Sequence, residues 1–325
     1  MHRTISRSLV FAVTGLLLAL PPVAAQPYPS HPIKVLVGGA PGSTPDVMIR
    51  PIAVRLSTVL GQPVVVDNRA GAAGIIAMDA LVRSPPDGYT LALATMSQAV
   101  FNSYLFSKLP YDPLRDLEPV MPLVTGAMAI VAHPSFPASN LQELITLAKG
   151  QPGKLFMAMP QAGSPPHVVA LLLNRAAGID LTMVPHKSGP EALNAVLSGQ
   201  IPLLIDAPTV ISTHVAAGKL KALVVTGRRR EAASPDVPTA SESGLANVEG
   251  EAWIGLVAPA GTPRHIVQRL HRELVLILAA PEMQAQMARL GFRTLNETPD
   301  EFRTLIKDEH AKWSAVIRDA GLKLD

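Results

Sequence analysis

Cysteine is absent from the 325 residues, which removes disulfides, thiolate metal sites and cysteine nucleophiles together. Aromatics supply only 4% of the chain and charged residues 16%. A nucleic-acid surface needs a basic footprint, so binding of DNA or RNA is not expected. The dense basic cluster Arg228-Arg229-Arg230 reads as a solvated turn. No apolar run after Ala25 approaches the ~20 residues that cross a bilayer. Signatures of catalysis are missing as well: there is no H-E-x-x-H, G-x-S-x-G, S-x-x-K or G-x-G-x-x-G. Gly38-Gly39-Ala40-Pro41-Gly42-Ser43-Thr44 has the glycines of a phosphate loop but not its lysine. His265 and His271 lie on different faces of one expected helix, a poor start for a metal site. No cofactor is called for, and the chain is not expected to be an enzyme.

What is present begins at the N-terminus. His2, Arg3 and Arg7 precede an apolar run from Leu9 to Leu20, then Pro21-Pro22 and the small residues Val23-Ala24-Ala25. Basic, apolar and small residues in that order form the pattern of a secretory signal peptide cleaved near Ala25. Cleavage would remove Arg3 and Arg7 and no acid, taking the formal charge from +3 to +1. Export without disulfides suits a bacterial periplasm and a core that needs no staples. The remaining length is enough for two domains of roughly 150 residues each.

Short β-branched runs alternate with helical patterns, which points to parallel strands joined by helices. Ile33–Val37 reads as the first strand. Thr44 is expected to cap a helix that begins at Pro45 and turns Val47, Ile52, Leu56 and Val59 inward. Strands follow at Pro63–Val66 and Tyr89–Ala94, with a helix at Ala77–Val82 between them. Val120–Ala132 reads as strands leaving a first lobe. Ser139 and Gln142 suggest a capping box, with Leu141, Leu144, Ile145 and Ala148 facing a core. Leu155–Ala158, Leu181–Val184, Leu203–Ile205 and Ala222–Val225 are further strands. A helix is expected from Ser164 and another around Pro190–Leu197. Trp253–Ala258 returns to the first lobe, and two amphipathic helices close the chain, the first along Ile266, Leu270, Leu274 and Leu278 and the second along Phe302, Ile306, Trp313 and Ile317.

Three strand-to-helix junctions carry small polar residues: Gly42-Ser43-Thr44, Thr95-Met96-Ser97 and Gly163-Ser164. Ligands of open parallel sheets sit beyond the carboxyl ends of the strands. Helix N-termini there present free N–H groups and a positive dipole end, which suits a carboxylate. Each junction taken singly reads more readily as a simple helix cap, and it is the three of one type together that point to a ligand.

Across nearly its whole mature length the chain resembles the Bug (TctC-like) substrate-binding receptors of tripartite tricarboxylate transporters. The resemblance rests on Tyr28-Pro29-Ser30-His31-Pro32-Ile33, Gly61-Gln62-Pro63-Val64-Val65-Val66-Asp67-Asn68-Arg69 and Pro86-Asp87-Gly88-Tyr89-Thr90. It continues through Leu109-Pro110-Tyr111-Asp112-Pro113, Gly199-Gln200, Asp236-Val237-Pro238-Thr239 and Ala258-Pro259-Ala260-Gly261-Thr262-Pro263. Such a resemblance implies the α/β type II periplasmic-binding-protein fold, two α/β lobes joined by crossover strands around a ligand cleft. The lobes would be 26–122 with 252–325, and 123–251. It also implies a small organic acid as ligand, a mono- or dicarboxylate or an amino-acid-like acid, the membrane subunits of a tripartite transporter as partner, and a monomer. A membrane sensor kinase is the alternative partner for the same cleft.

The family's first ligand loop, roughly P-G-G-S-T-D, stands here as Pro41-Gly42-Ser43-Thr44-Pro45-Asp46. Asp46 keeps its place, either beside the ligand or as a favourable acid in a first helical turn. Gly39 replaces a frequent aromatic, a change expected to enlarge or uncover the pocket. The second-lobe loop, usually G-N-G-T-S-S-H, is Gln161-Ala162-Gly163-Ser164-Pro165-Pro166-His167, with two prolines in place of backbone donors. His167 could compensate if protonated, or serve the loop without touching a ligand. Asp206 remains at a strand end, where it could accept from a ligand ammonium or hydroxyl or cap the next helix. The expected ligand-binding set is therefore Gly42, Ser43, Thr44, Asp46, Thr95, Met96, Ser97, Ala162, Gly163, Ser164, His167 and Asp206.

Overall fold

A computed structural model of the chain describes residues 28–231, 234–246, 248, 250–319 and 321–324. The expected leader, residues 1–25, lies outside the described residues. Strand β1 (Ile33–Val37) is apolar along its length because helices cover both of its faces; only Lys34 is exposed. A strand buried on both sides reads as a continuous hydrophobic run rather than an alternation. Helix α1 (Thr44–Leu60) returns the chain to β2 (Val64–Asn68), and α2 (Ile75–Val82) leads to β3 (Thr90–Thr95). Both β2 and β3 pair with β1 in parallel. A π-wound turn, Ser97–Phe101, runs into the short helix α3 (Asn102–Leu105). Strand β4 (Leu117–Ala127) ends the first pass.

At Met128 the chain changes sheets. β5 (Ala129–Ala132) is followed by α4 (Leu141–Gly150), β6 (Leu155–Pro160), α5 (Pro165–Ala177), β7 (Leu181–His186), α6 (Gly189–Leu197), β8 (Leu203–Asp206), α7 (Pro208–Ala216) and β9 (Lys221–Val225). These strands form a five-stranded sheet in the order β7-β6-β8-β5-β9. β10 (Glu251–Pro259) then re-enters the first sheet, antiparallel to β4 from Glu251 opposite Ala127 to Pro259 opposite Leu117. Helices α8 (Arg264–Ala279) and α9 (Pro281–Arg289), strand β11 (Arg293–Thr294) and helix α10 (Pro299–Asp319) complete the chain. The first sheet is six-stranded, ordered β11-β4-β10-β3-β1-β2.

The two crossings between the sheets are clasped by one buried hydroxyl. Thr226, 1% exposed, accepts from the Met128 amide at 3.0 Å and donates to Gly250 O at 2.7 Å. Backbone bonds from Thr226 N to Met128 O and from Gly250 N to Thr226 O close the same knot.

Four local expectations need correction. Ser43, not Thr44, is the residue before the first helical turn of α1. The inner face of that helix is Met48, Ile49, Ile52, Leu56 and Leu60, while Val59 is 44% exposed. The capping box of α4 uses Asn140 and Glu143: Asn140 Oδ1 accepts from Glu143 N at 2.9 Å, and Glu143 Oε2 accepts from Ser139 N at 2.7 Å. Finally, α9 intervenes between the two expected closing helices, because Ala280 leaves helical geometry and Pro281 starts a new one.

Candidate functional site

Between the two sheets lies a cavity of about 130 Å³. Its floor is the crossover itself, Gly126–Met128 from β4 and Ala252–Ile254 from β10. Its walls are the tips of four helices, α1, α5, α6 and α7, each of which follows a strand of its own sheet. Contacts across the gap hold the walls together. The hydroxyls of Thr44 and Thr209 meet at 3.0 Å, and Ser97 Oγ donates to Gly163 O at 2.9 Å. Arg175 and Asp319 pair at 3.0 Å near the surface.

Of the residues expected from sequence, Ser43, Thr44, Thr95, Ser97, Ser164 and Asp206 line this cavity. The others stand behind it. Gly42 holds a positive φ of 80° at the turn and donates its N–H to Asp46 Oδ2 at 2.9 Å. Asp46 is buried and paired with Arg50 at 2.6 Å. Burial pushes the Asp46 carboxyl up, but the hydrogen bonds from Arg50 and the Gly42 amide outweigh it and leave it below the usual range. Its role is to fasten the loop on which Ser43 rides. Met96 is packed in the core at 2% exposure. Ala162 faces a neighbouring surface groove with Phe106 and His186. Gly163, φ 77°, gives its N–H to His167 Nδ1 at 3.0 Å. An imidazole that accepts at Nδ1 is neutral there, and burial lowers its pKa to about 4. His167 therefore serves the loop, and it is not the cation that would replace the donors lost to Pro165 and Pro166.

Most of the lining hydroxyls are already engaged. Thr95 Oγ1 donates to Gln98 Oε1 at 2.6 Å, and Ser164 Oγ donates to Pro160 O at 3.0 Å. Three lining atoms, in contrast, are buried with no hydrogen-bond partner: Ser43 Oγ, Asp206 Oδ2 and Trp253 Nε1. An unsatisfied buried polar group costs about 1–3 kcal/mol, a cost that a partner reaching all three would remove. Asp206 sits at the end of β8, 3% exposed, with Oδ1 accepting only from the adjacent Ala207 N–H at 2.7 Å. Burial raises its pKa to about 7. Its free oxygen lies so near the tip of α6 that a Cβ on Gly189 would stand 2.4 Å from it.

Trp253 was not singled out from sequence as a site residue. Its ring is braced edge-on by Phe302, centroids 5.2 Å apart, and its N–H is buried without a partner. The space at Gly39 is taken up in part by Ser43: a Cβ at Gly39 would lie 2.3 Å from Ser43 Oγ. Gln98 also lines the cavity, but it spends its amide on Thr95 and on Ala73 O at 2.9 Å, bracing the loop.

The family model described as "Tripartite tricarboxylate transporter family receptor" matches residues 48–322. The chain belongs to this TctC family. Protein BugT of Bordetella pertussis is 34% identical over 320 residues, which is 97% of this chain and 98% of BugT. Among solved structures, R. palustris Rpa4515 with adipate superposes with a TM-score of 0.88 at 29% identity, covering 91% of this chain and 100% of that one. MatC from Rhodopseudomonas palustris with bound malate gives 0.84 at 31% identity, covering 89% of this chain and 100% of MatC. The TctC receptor fold, two α/β lobes about a cleft, is thus this chain's fold, and its family comprises periplasmic solute-binding receptors rather than enzymes.

Proposed function

We propose that this TctC-family receptor, once exported and freed of its leader, captures a small organic acid in the periplasm and delivers it to the membrane subunits of a tripartite tricarboxylate transporter. The lobes are the two sheets with their helices, and they hinge at Met128 and at the Thr226–Gly250 clasp. The observation that carries this reading is the set of unpartnered buried atoms, Ser43 Oγ, Asp206 Oδ2 and Trp253 Nε1, around one cavity. Ser43 comes from the first lobe, Asp206 from the second and Trp253 from a crossover strand. A ligand that satisfies all three can do so only with the lobes together, so it favours closure by differential contact. Adipate and malate in two relatives of the same fold support an acid as the ligand class.

Native mass spectrometry of the freshly purified protein should reveal a co-purified small molecule. Calorimetry with organic acids should then give saturable binding that Ser43→Ala weakens about tenfold, the loss of one hydrogen bond to a charged group. Unchanged affinity in a folded Ser43→Ala protein would remove the cavity from the function, and uptake by cells lacking the receptor gene at the wild-type rate would remove the transporter role.

A further inference from the structure

Proline thins the backbone donors around the cavity, where an anion would need them. Four of the helices whose tips form its wall carry proline in the first two positions: Pro45 in α1, Pro165 and Pro166 in α5, Pro190 in α6 and Pro208 in α7; the tip at Thr95–Gln98, where the π-wound turn begins, carries none. Proline has no N–H, so the backbone donors that such tips normally offer are depleted at all four. Among the lining hydroxyls, Thr95, Ser97 and Ser164 donate to Gln98, Gly163 O and Pro160 O, and Thr44 and Thr209 share one proton between them. Ser43 Oγ and Trp253 Nε1 are buried without a partner, Ser188 Oγ accepts from Glu191 N and keeps its own proton to give, and the exposed Lys187 stands at the rim. Together they provide for a ligand carboxylate. Opposite needs arise at Asp206, whose Oδ2 is a buried carboxyl oxygen without a donor. Above pH 7, where Asp206 is ionised, a second ligand carboxylate brought beside it would meet like charge in a poorly solvated place.

Resting on the receptor reading above, we infer that Asp206 sets specificity: its free oxygen accepts from a ligand ammonium, and the receptor takes a small amino-substituted acid in preference to the dicarboxylate of the same shape. The ligand's single carboxylate is held by Ser43 and Trp253, and its ammonium pairs with Asp206. This pairing offsets the desolvation that pushes Asp206 up to about 7. Such a choice differs from that of the relatives crystallised with adipate and malate, and the proline-bearing tips supply the reason.

Calorimetry of the full mature chain at pH 7.5 tests this with four pairs in which an ammonium replaces one carboxylate: β-alanine and succinate, 4-aminobutyrate and glutarate, 5-aminopentanoate and adipate, alanine and methylmalonate. In at least one pair the amino acid should bind about tenfold tighter or more, the value of one well-placed ion pair. Asp206→Asn should bring that ratio close to one. A dicarboxylate that binds as tightly as its amino counterpart in every pair overturns the inference and leaves the receptor reading standing; binding by no member of any pair counts against both. A ratio unmoved by Asp206→Asn, in a variant that melts like the parent, also overturns it. Should that variant fail to fold, the wild-type ratios decide alone.

Discussion

Asp206 and His167 are two buried titratable side chains of the same lobe, and burial displaces them in opposite directions on the pH scale. Asp206 rises to about 7, so between the ordinary aspartate range and pH 7 the native protein holds a proton that the unfolded chain releases. Its contribution to stability is full in acid and is lost as pH rises through 7. His167 falls to about 4, so the unfolded chain binds a proton below about 6.5 that the native ring refuses. Its contribution is present above that range and is lost as pH falls toward 4. In the ligand-free protein the two slopes oppose each other across the acid range. Asp206→Asn removes one of them. Urea titrations should show the variant more stable than the parent at pH 8, by up to roughly 4 kcal/mol, and equal to it near pH 4. Equal stability at pH 8 would mean that the carboxyl is solvated and the cavity open.

Much of the site was legible at this scale. Ser43 and Asp206 stand where strand-to-helix junctions and the family resemblance placed them. The sequence does not reveal which hydroxyl is free, because that depends on close neighbours such as Gln98, which takes the proton of Thr95. Trp253 gave no signal beyond being an aromatic at the start of a returning strand. Which way its ring points depends on the pairing of β10 with β4, and that register shifts between Ile254 and Gly255.

At the scale of elements, strands and helices were readable because their periodicities differ, and most of the errors fell at helix starts. Ser139 and Asn140 are both good cap residues, and so are Ser43 and Thr44. For α4 the choice goes to Asn140 because Glu143, three residues on, can answer it. Helix α7 lacked any apolar stripe that would separate it from the strands around it, and only Pro208 marks its start. The knot at Thr226 was invisible in sequence, since its partners Met128 and Gly250 are distant along the chain and join only when both crossings are made. Thr226→Val keeps the shape of the side chain and strips its hydroxyl, leaving the Met128 amide and Gly250 carbonyl each short of a partner. The expected cost is about 1–3 kcal/mol in denaturant, with amide exchange rising first at Met128 and Gly250 rather than in the sheet interiors. Unchanged exchange at those two residues would show that the clasp contributes nothing.

At the scale of the whole molecule, function depends on two bodies meeting, and one close meeting is at Gly291 and Pro208. Gly291 follows α9 in the first lobe with φ 76°, and Pro208 opens α7 in the second. A Cβ on Gly291 would lie 2.2 Å from the Pro208 Cβ, far inside contact distance. Alternation of strands and helices announced parallel α/β layers and the family resemblance implied two lobes, but nothing local in the chain foretold that this glycine would touch that proline. Gly291→Ala should therefore wedge the lobes apart. The tightest binder among the organic acids should lose about tenfold in affinity, and small-angle scattering should show no contraction when it is added. The alanine also carries backbone strain at a positive φ, roughly 1–3 kcal/mol, which alone could lower the melting temperature. A second change separates the two effects. Adding Pro208→Gly removes the obstacle while leaving the strain, so affinity and contraction should return but the lost stability should not. If Gly291→Ala binds and contracts like the parent, the lobes do not need this contact to close, and the cavity holds its ligand in a more open form.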